Sequence, residues 1–395
     1  MSADDAIANE QNYMLQTYQR PDFVLDRGEG VYLFDTAGRR YLDCVAGIAV
    51  NALGYGDPDV ARVISEQAAG VIHTSNLYHT RPAGELARLL VESSFADRVF
   101  FSNSGAEANE GALKFARKYA REHSGEGKTM IVAFSGSFHG RTMGAVAVTH
   151  REKYRAPFMP VMPDVRFAPF NDLAAAEAAI SDDVCAVIVE PIQGEGGLSV
   201  ATPEFLRGLR ARCDAIGALL IFDEIQCGMG RTGTLWAYEP YGVTPDIMTV
   251  AKPLGGGLPI GAILLTQAVA DTLHAGEHGT TFGGGPLVTG VAQVVLRKIA
   301  DPAFLAHVRE VGDYFDEALH DLAATNSRII ELRGRGLMRG IQIEGSAAAV
   351  REAGHDAELL IATAGDDVLR LLPPLIFERT HVDEAIEKLG RALRT

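Results

Sequence analysis

The sequence predicts an α/β fold, with a large domain on a mostly parallel sheet and a smaller α+β domain built from both ends of the chain. Three observations predict it. Short apolar runs alternate with amphipathic stretches through the middle of the chain, as in a parallel sheet covered on both faces. Before residue 60 the signals are short, turn-punctuated strands, and beyond about residue 290 they become long helices, two strands and a closing helix. The expected boundaries are 1–60 for the N-terminal segment of the smaller domain, 61–290 for the large domain and 291–395 for the C-terminal part of the smaller one.

In chain order, GVYLFDTAGRRYLDCV (30–45) reads as strands joined by a hairpin turn from Asp35 to Arg39. RVFFS (98–102), KTMIVAF (128–134), CAVIVEP (185–191), ALLIFDE (218–224) and PDIMTVAK (245–252) read as short buried strands. Helical spacing falls between several of them, at 105–123, 171–180 and 202–217. The last of these opens with Thr202 as N-cap and Pro203 at the first helical position, where its fixed φ suits the helix and its missing N–H costs nothing. Long helices are expected over 286–324, strands at RIIELRG and LMRGIQIEG, and a final helix at HVDEAIEKLGRALR.

With 36 Lys and Arg against 51 Asp and Glu, the formal charge of −15 repels polyanions and argues against a nucleic-acid partner. An apolar fraction of 47% is that of an ordered globular chain. The four cysteines form no Cys-x-x-Cys pair, so neither a metal site nor a disulfide framework is expected. The opening MSADDAIANEQNY is acidic where a signal peptide is basic, and no apolar run reaches membrane-spanning length, so a cytoplasmic protein without membrane contact is expected.

Ligands of open parallel sheets bind beyond the carboxyl ends of the strands, which gives weight to chemically loaded residues placed there. Four segments qualify. FFSNSGAEANEGALK is a strand, a small-residue turn and a helix start, where unpaired N–H groups form a seat for a phosphate, although Ser104 also reads as a plain helix cap. LLIFDEIQCGMGRTG ends an apolar strand in Asp223 and Glu224, of which only one can face a given ligand because successive side chains alternate. DIMTVAKPLGGGLPIGA places Lys252 after a strand and before a glycine run; a lysine there is commonly salt-bridged, but a desolvated one becomes a nucleophile. AFSGSFHGRTMGA puts an aromatic, a histidine and an arginine directly after a strand. Together, a phosphate seat, a strand-end acid, a strand-end lysine and a nearby aromatic ring suit pyridoxal 5'-phosphate, which needs a lysine for its aldehyde and an acid on its pyridine nitrogen.

These segments, with RGEGVYLFDTAGRRYLD, FHGRT, EPIQGEGG, HGTTFGGGP and RLLPPL, carry a resemblance over nearly the whole chain. The sequence resembles the class III pyridoxal-phosphate aminotransferases, of fold type I, and within them most closely the acetylornithine aminotransferases, with the ornithine, succinylornithine and 4-aminobutyrate enzymes as cousins. The resemblance implies that Lys252 takes the cofactor aldehyde and later moves the substrate proton, and that Asp223 pairs with the pyridine nitrogen. Gln226 would bond the ring hydroxyl and Phe138 stack on the ring, while Ser104, Gly105 and Ala106 would hold the phosphate. Thr281 would reach the phosphate in the partner subunit and Thr280 lie near its substrate, which makes the enzyme a homodimer with sites at the interface. Arg141 and Arg370 match two carboxylate clamps, and Glu195 matches the acid that covers Arg370 when an amine is bound and swings aside for 2-oxoglutarate. Three positions depart from the family pattern: Cys227 for the usual Thr, Pro253 for a small residue, and Gly285 for Asn. His139 and His79 read as structural.

In the ornithine aminotransferases a tyrosine enters the pocket from the segment matching DCVAGIAVNALGY (43–55), and here that position is Ile48. A charged α-amino group would lack its hydroxyl partner, whereas an acylated one tolerates an apolar wall. The expected reaction is therefore N-acetylornithine with 2-oxoglutarate, giving N-acetylglutamate 5-semialdehyde and glutamate, a step of arginine synthesis. The alternatives are transfer from ornithine, succinylornithine or 4-aminobutyrate, or an aminomutase or decarboxylase reaction. A nucleotide-dependent oxidoreductase is disfavoured because no Gly-x-Gly-x-x-Gly unit opens the α/β region.

Overall fold

Three sheets organise the chain in a computed structural model that describes residues 2–394. Near the N-terminus, β1 (Leu25–Glu29), β2 (Tyr32–Asp35) and β3 (Arg40–Asp43) form an antiparallel meander. The expected turn lies between the last two, where the Asp35 carboxylate accepts the N–H groups of Ala37 and Arg39 at 3.0 and 2.8 Å.

The central sheet contains β4 (Arg98–Ser102), β5 (Met130–Phe134), β6 (Val165–Ala168), β7 (Val184–Val189), β8 (Leu219–Asp223), β9 (Ile247–Val250) and β10 (Gly261–Leu265) in the spatial order 4-10-9-8-7-5-6. All pairs are parallel except those of β10, which runs antiparallel to β4 and β9. Alternation along β8 sorts its side chains between two cores. Leu219 and Ile221 pack with the helix Gly105–Ser124, whereas Leu220 and Phe222 pack with the helix Pro203–Ile216. That second helix starts as its sequence predicts, with Thr202 Oγ1 accepting the Phe205 N–H at 3.2 Å and Pro203 in the first turn. The same alternation aims Asp223 toward the first helix and Glu224 away from it.

The remaining strands are β11 (Ile329–Arg335), β12 (Met338–Ile343), β13 (Leu359–Leu360), β14 (Ala362–Thr363) and β15 (Val368–Leu371). The third sheet has the order 11-12-15-14, while β13 leaves it to lie parallel to β3 and so completes the N-terminal sheet. The expected helical stretch over 286–324 is two helices, Pro286–Ile299 and Pro302–Thr325. They part where Asp301 caps the second, accepting from the N–H groups of Ala303 and Phe304. One large apolar cluster joins these helices, the terminal helix Arg379–Ala392 and both outer sheets to the edge of the central sheet. Among the described residues no helix is long and apolar enough to cross a membrane.

Candidate functional site

A cavity of about 470 Å³ opens where the carboxyl ends of β8 and β9 meet the loops that follow β4, β5 and β7. Its wall includes Ser104, Gly105, Ala106, Phe138, Arg141, Asp223, Gln226 and Lys252, so the four segments singled out in the sequence converge on one space.

Asp223 is a buried charged group of that wall, 3% exposed. Its Oδ2 accepts from Asn109 Nδ2 at 2.8 Å and from His139 Nδ1 at 2.7 Å, and its Oδ1 accepts the Ile225 N–H at 3.0 Å. Asn109 is oriented in turn by the Thr249 hydroxyl, which donates to its Oδ1 at 2.8 Å, and by the His139 carbonyl, which accepts its second N–H at 2.7 Å. All four side chains are buried. Burial works against charge on His139, but the bond and the negative charge of Asp223 outweigh it and raise the imidazole's pKa. The result is a carboxylate held in place and facing the cavity. Glu224 points the other way and accepts the N–H groups of Ala237 and Tyr238, its carboxyl pushed by burial up to about 8.

Lys252 follows β9 with a backbone φ of +30°, which an L-residue adopts only under constraint. It opens a single 3₁₀ turn, Lys252–Gly255, with Pro253 as the second residue. Desolvation first, and then the positive charge of Arg370, lower the Lys252 amine from 10.5 to about 8. A buried amine near neutrality is a far better nucleophile and proton acceptor than an exposed ammonium.

Arg370 is 2% exposed. It donates to Glu195 at 2.5 Å, to the Gly194 carbonyl at 2.9 Å and to Gln226 Oε1 at 3.2 Å. All three bonds leave from Nη1, and its Nε is buried without a partner. Arg141, by contrast, is an exposed residue of the cavity wall whose guanidinium carbon lies 5.4 Å from the centre of the Phe138 ring.

At the start of the helix Gly105–Ser124, Ser104 Oγ accepts the Glu107 N–H at 3.2 Å. Gly105 and Ala106, whose N–H groups have no carbonyl partner inside the helix, line the cavity. A Cβ at Gly105 would meet the Ile225 side chain at 2.8 Å, so that side chain would have to move.

Arg370, bonded to Gln226 of the wall, and Glu195 do not line the cavity themselves, and Thr280, Thr281 and Ile48 also fall outside it. Thr281 is exposed, and Thr280 meets the site at Asn103, whose Nδ2 donates to its Oγ1 at 3.1 Å. Ile48 is 40% exposed and does not line the cavity. Positive φ angles run from Ala46 to Ala49, and Val50, directly after them, lines the cavity.

Glu190, Asn109 and Thr249 belong to the site and were not singled out in the sequence. Glu190 ends the run CAVIVE as Asp223 ends LLIFD, so the same strand-end reasoning reaches it. It receives the N–H groups of Phe138 and Gly194 at 3.1 and 3.3 Å, and burial raises its carboxyl. Asn109 and Thr249 lie inside a helix and a strand and carry no local signal.

The family model described as aminotransferase class-III matches residues 13–393. The mitochondrial acetylornithine aminotransferase of Alnus glutinosa is 53% identical over 385 residues, covering 96% of this chain and 85% of its own. A succinylornithine transaminase of Salmonella newport is 46% identical, covering 99% and 97%. Among solved structures, the ornithine aminotransferase of Toxoplasma gondii ME49 superposes with a TM-score of 0.95 at 31% identity, covering 100% of this chain and 95% of that one.

Proposed function

This chain belongs to the class III aminotransferases, and from that premise we propose that it transfers the terminal amino group of an N-acylated ornithine, N-acetylornithine in the first place, to 2-oxoglutarate. The observation that supports the reading most is the Glu195–Arg370 pair, 2.5 Å apart and close enough to Lys252 for the arginine to help lower its pKa. A reaction with two unlike substrates needs a cation that is covered for one and exposed for the other, which a mutase does not. The acyl group follows the relatives, since acetylornithine and succinylornithine enzymes share 53% and 46% of their aligned residues with this chain. The physical support is the apolar Val50 wall and a 45–50 segment without a hydroxyl.

Class III aminotransferases depend on pyridoxal phosphate, and the residues on this cavity fit it. Two unpaired N–H groups at a helix start, a lysine poised near neutrality, a fixed buried carboxylate and an aromatic ring face one space of suitable volume. When bound, the cofactor supplies an aldehyde for the amine and a protonated ring that spreads the electron pair left on the substrate carbon. Ser104, Gly105 and Ala106 would hold its phosphate, Phe138 would cover the ring, Gln226 would meet its hydroxyl and Asp223 would keep the proton on its ring nitrogen. Lys252 Nζ takes the proton from the substrate carbon and returns it. Arg141 grips the α-carboxylate of the donor in the planar, bidentate way that suits guanidinium, and Arg370 takes a carboxylate of 2-oxoglutarate once Glu195 withdraws.

The working unit is a homodimer in which Thr281 reaches the phosphate of the other subunit and Thr280 lies near its substrate. Exposed apolar side chains concentrate around these threonines: Leu77 and Tyr78 are 84% and 72% exposed and Phe282 is 65% exposed. Asn76 ties the two loops together by donating to the carbonyls of Thr280 and Gly283. A surface of that kind is what a subunit interface covers. The four cysteines are buried and free, which suits a reducing compartment such as the cytoplasm.

The deciding experiment compares kcat/KM for N-acetylornithine, N-succinylornithine, ornithine and 4-aminobutyrate with 2-oxoglutarate. N-acetylornithine should lead. Parity with ornithine or 4-aminobutyrate would overturn the donor assignment and leave the aminotransferase class intact.

A further inference from the structure

The two arginines assigned to carboxylates are held in opposite ways. Arg370 is buried and fixed by three hydrogen bonds, whereas Arg141 is exposed and has, among the described residues, no carboxylate of the chain within ion-pair distance. A long side chain left free on a cavity rim samples many rotamers, and fixing it costs entropy each time a substrate binds. Something other than charge must therefore orient it.

That role falls to a ring. The Arg141 guanidinium carbon lies 3.8 Å from the centre of the Tyr154 ring, nearer than its 5.4 Å to Phe138. The two rings meet edge to face, 5.9 Å apart at 82°, so Tyr154 is itself braced by the aromatic that lines the cavity. Lys153 also approaches Tyr154, at 5.2 Å, and is the more distant of its two cations. Tyr154 sits in the short helix Glu152–Arg155. Immediately before that helix, Arg151 Nη2 donates to the Glu195 carbonyl at 2.8 Å, anchoring the segment to the loop whose acid covers Arg370. Arg151 and Tyr154, three residues apart, thus tie the loop of Glu195 to Arg141.

We infer that Tyr154 is a positioning residue for substrate recognition: its ring is the shelf on which Arg141 is pre-oriented to receive a substrate carboxylate. A guanidinium stacked face-on against a ring keeps its in-plane N–H donors free for a bidentate carboxylate, which an ion pair to a protein acid would consume. The phenol oxygen has no part in this, so phenylalanine should serve as well as tyrosine. The inference rests on the reading of Arg141 as a carboxylate clamp.

The test uses the holoenzyme and variants Tyr154→Phe, Tyr154→Leu, Arg141→Ala and the Arg141→Ala/Tyr154→Leu double variant. Calorimetry gives the Kd of glutarate, an unreactive diacid, and kinetics compare N-acetylornithine with 1,4-diaminobutane, an amine that has no carboxylate. Tyr154→Leu should raise the glutarate Kd and the N-acetylornithine KM roughly two- to fivefold, the size of a partly exposed cation–π contact, with kcat little changed. Diaminobutane kinetics should be unaffected, Tyr154→Phe should match the parent, and Tyr154→Leu should add nothing once Arg141 is gone. Equal losses with diaminobutane, or a further loss in the Arg141→Ala background, would overturn the shelf. If Arg141→Ala itself left glutarate binding unchanged, the clamp reading would fall first, a distinguishable result. Tyr154→Gln, polar and of similar reach, repeats the comparison if the leucine variant melts early, and normal glutarate binding in it would equally count against the shelf.

Discussion

Lys252 combines a strained backbone, a proline that follows it and an amine pushed down to about 8. Lys252→Ala should abolish turnover, and borohydride treatment of the cofactor-loaded variant should fix no cofactor mass to the chain, whereas the parent should carry it on the peptide containing Lys252. The amine also leaves a mark on stability. Folding lowers its pKa from 10.5 to about 8, so between those values the unfolded chain holds more protons than the folded apoprotein. Stability of the apoprotein should therefore gain a rising component with pH across that window, and Lys252→Met should flatten it in chemical denaturation at stepped pH. Asp223 acts by charge. Asp223→Asn keeps the shape but gives up the carboxylate that His139 and Asn109 hold in place, and proton abstraction should slow on the order of 10²-fold or more, by analogy with the loss of other preorganised groups that stabilise developing charge. Exchange of the substrate's deuterium measures that step directly.

At the scale of elements, the site is a set of strand ends and one helix start, and this explains what could be read in advance. Asp223 and Lys252 stand where an apolar run stops, so their chemistry is visible against the strand. Glu190 obeys the same rule. The antiparallel β10 was hidden because GGGLPIGA reads as a loop, and nothing local says that AILL after it reverses direction between β4 and β9. Asn109 and Thr249 escape any reading along the chain, since the pairing of β8 with β9 sets Thr249 beside Asp223 and the packing of the helix Gly105–Ser124 on the sheet brings Asn109 to both. Ile48 lies in a run of positive φ angles, Ala46 to Ala49, which no local signal announces, and in this chain Val50 is the residue of that segment on the cavity wall. The helix start has its own test. Gly105→Ala should weaken cofactor binding, because the added Cβ meets Ile225 at 2.8 Å, and Ile225→Ala should restore part of it, as followed by equilibrium titration of the apoprotein. Ser104→Ala, which removes the cap to Glu107, should cost about 1 kcal/mol of stability.

For the whole molecule, the proposed sharing of Thr280 and Thr281 predicts complementation. A chain inactive through Lys252→Ala and another inactive through Thr281→Asp, whose acid repels a phosphate, should regain part of the activity when mixed dimers form. Mixed dimers with no rescue, verified by mass, would mean that each subunit completes its own site.

The pairing of β13 with β3 has a consequence in time. A ribosome releases Leu42 and Asp43 long before Leu359 and Leu360, the residues that lie beside them. At about 5–20 residues per second, the interval is roughly 15–60 seconds, during which the open edge of β3 and its apolar flank are available to whatever they meet. The nascent chain must keep that edge shielded until its last strands emerge, and a chain that stops short of β13 should be a substrate for chaperones and proteases even though its entire central sheet has already been made.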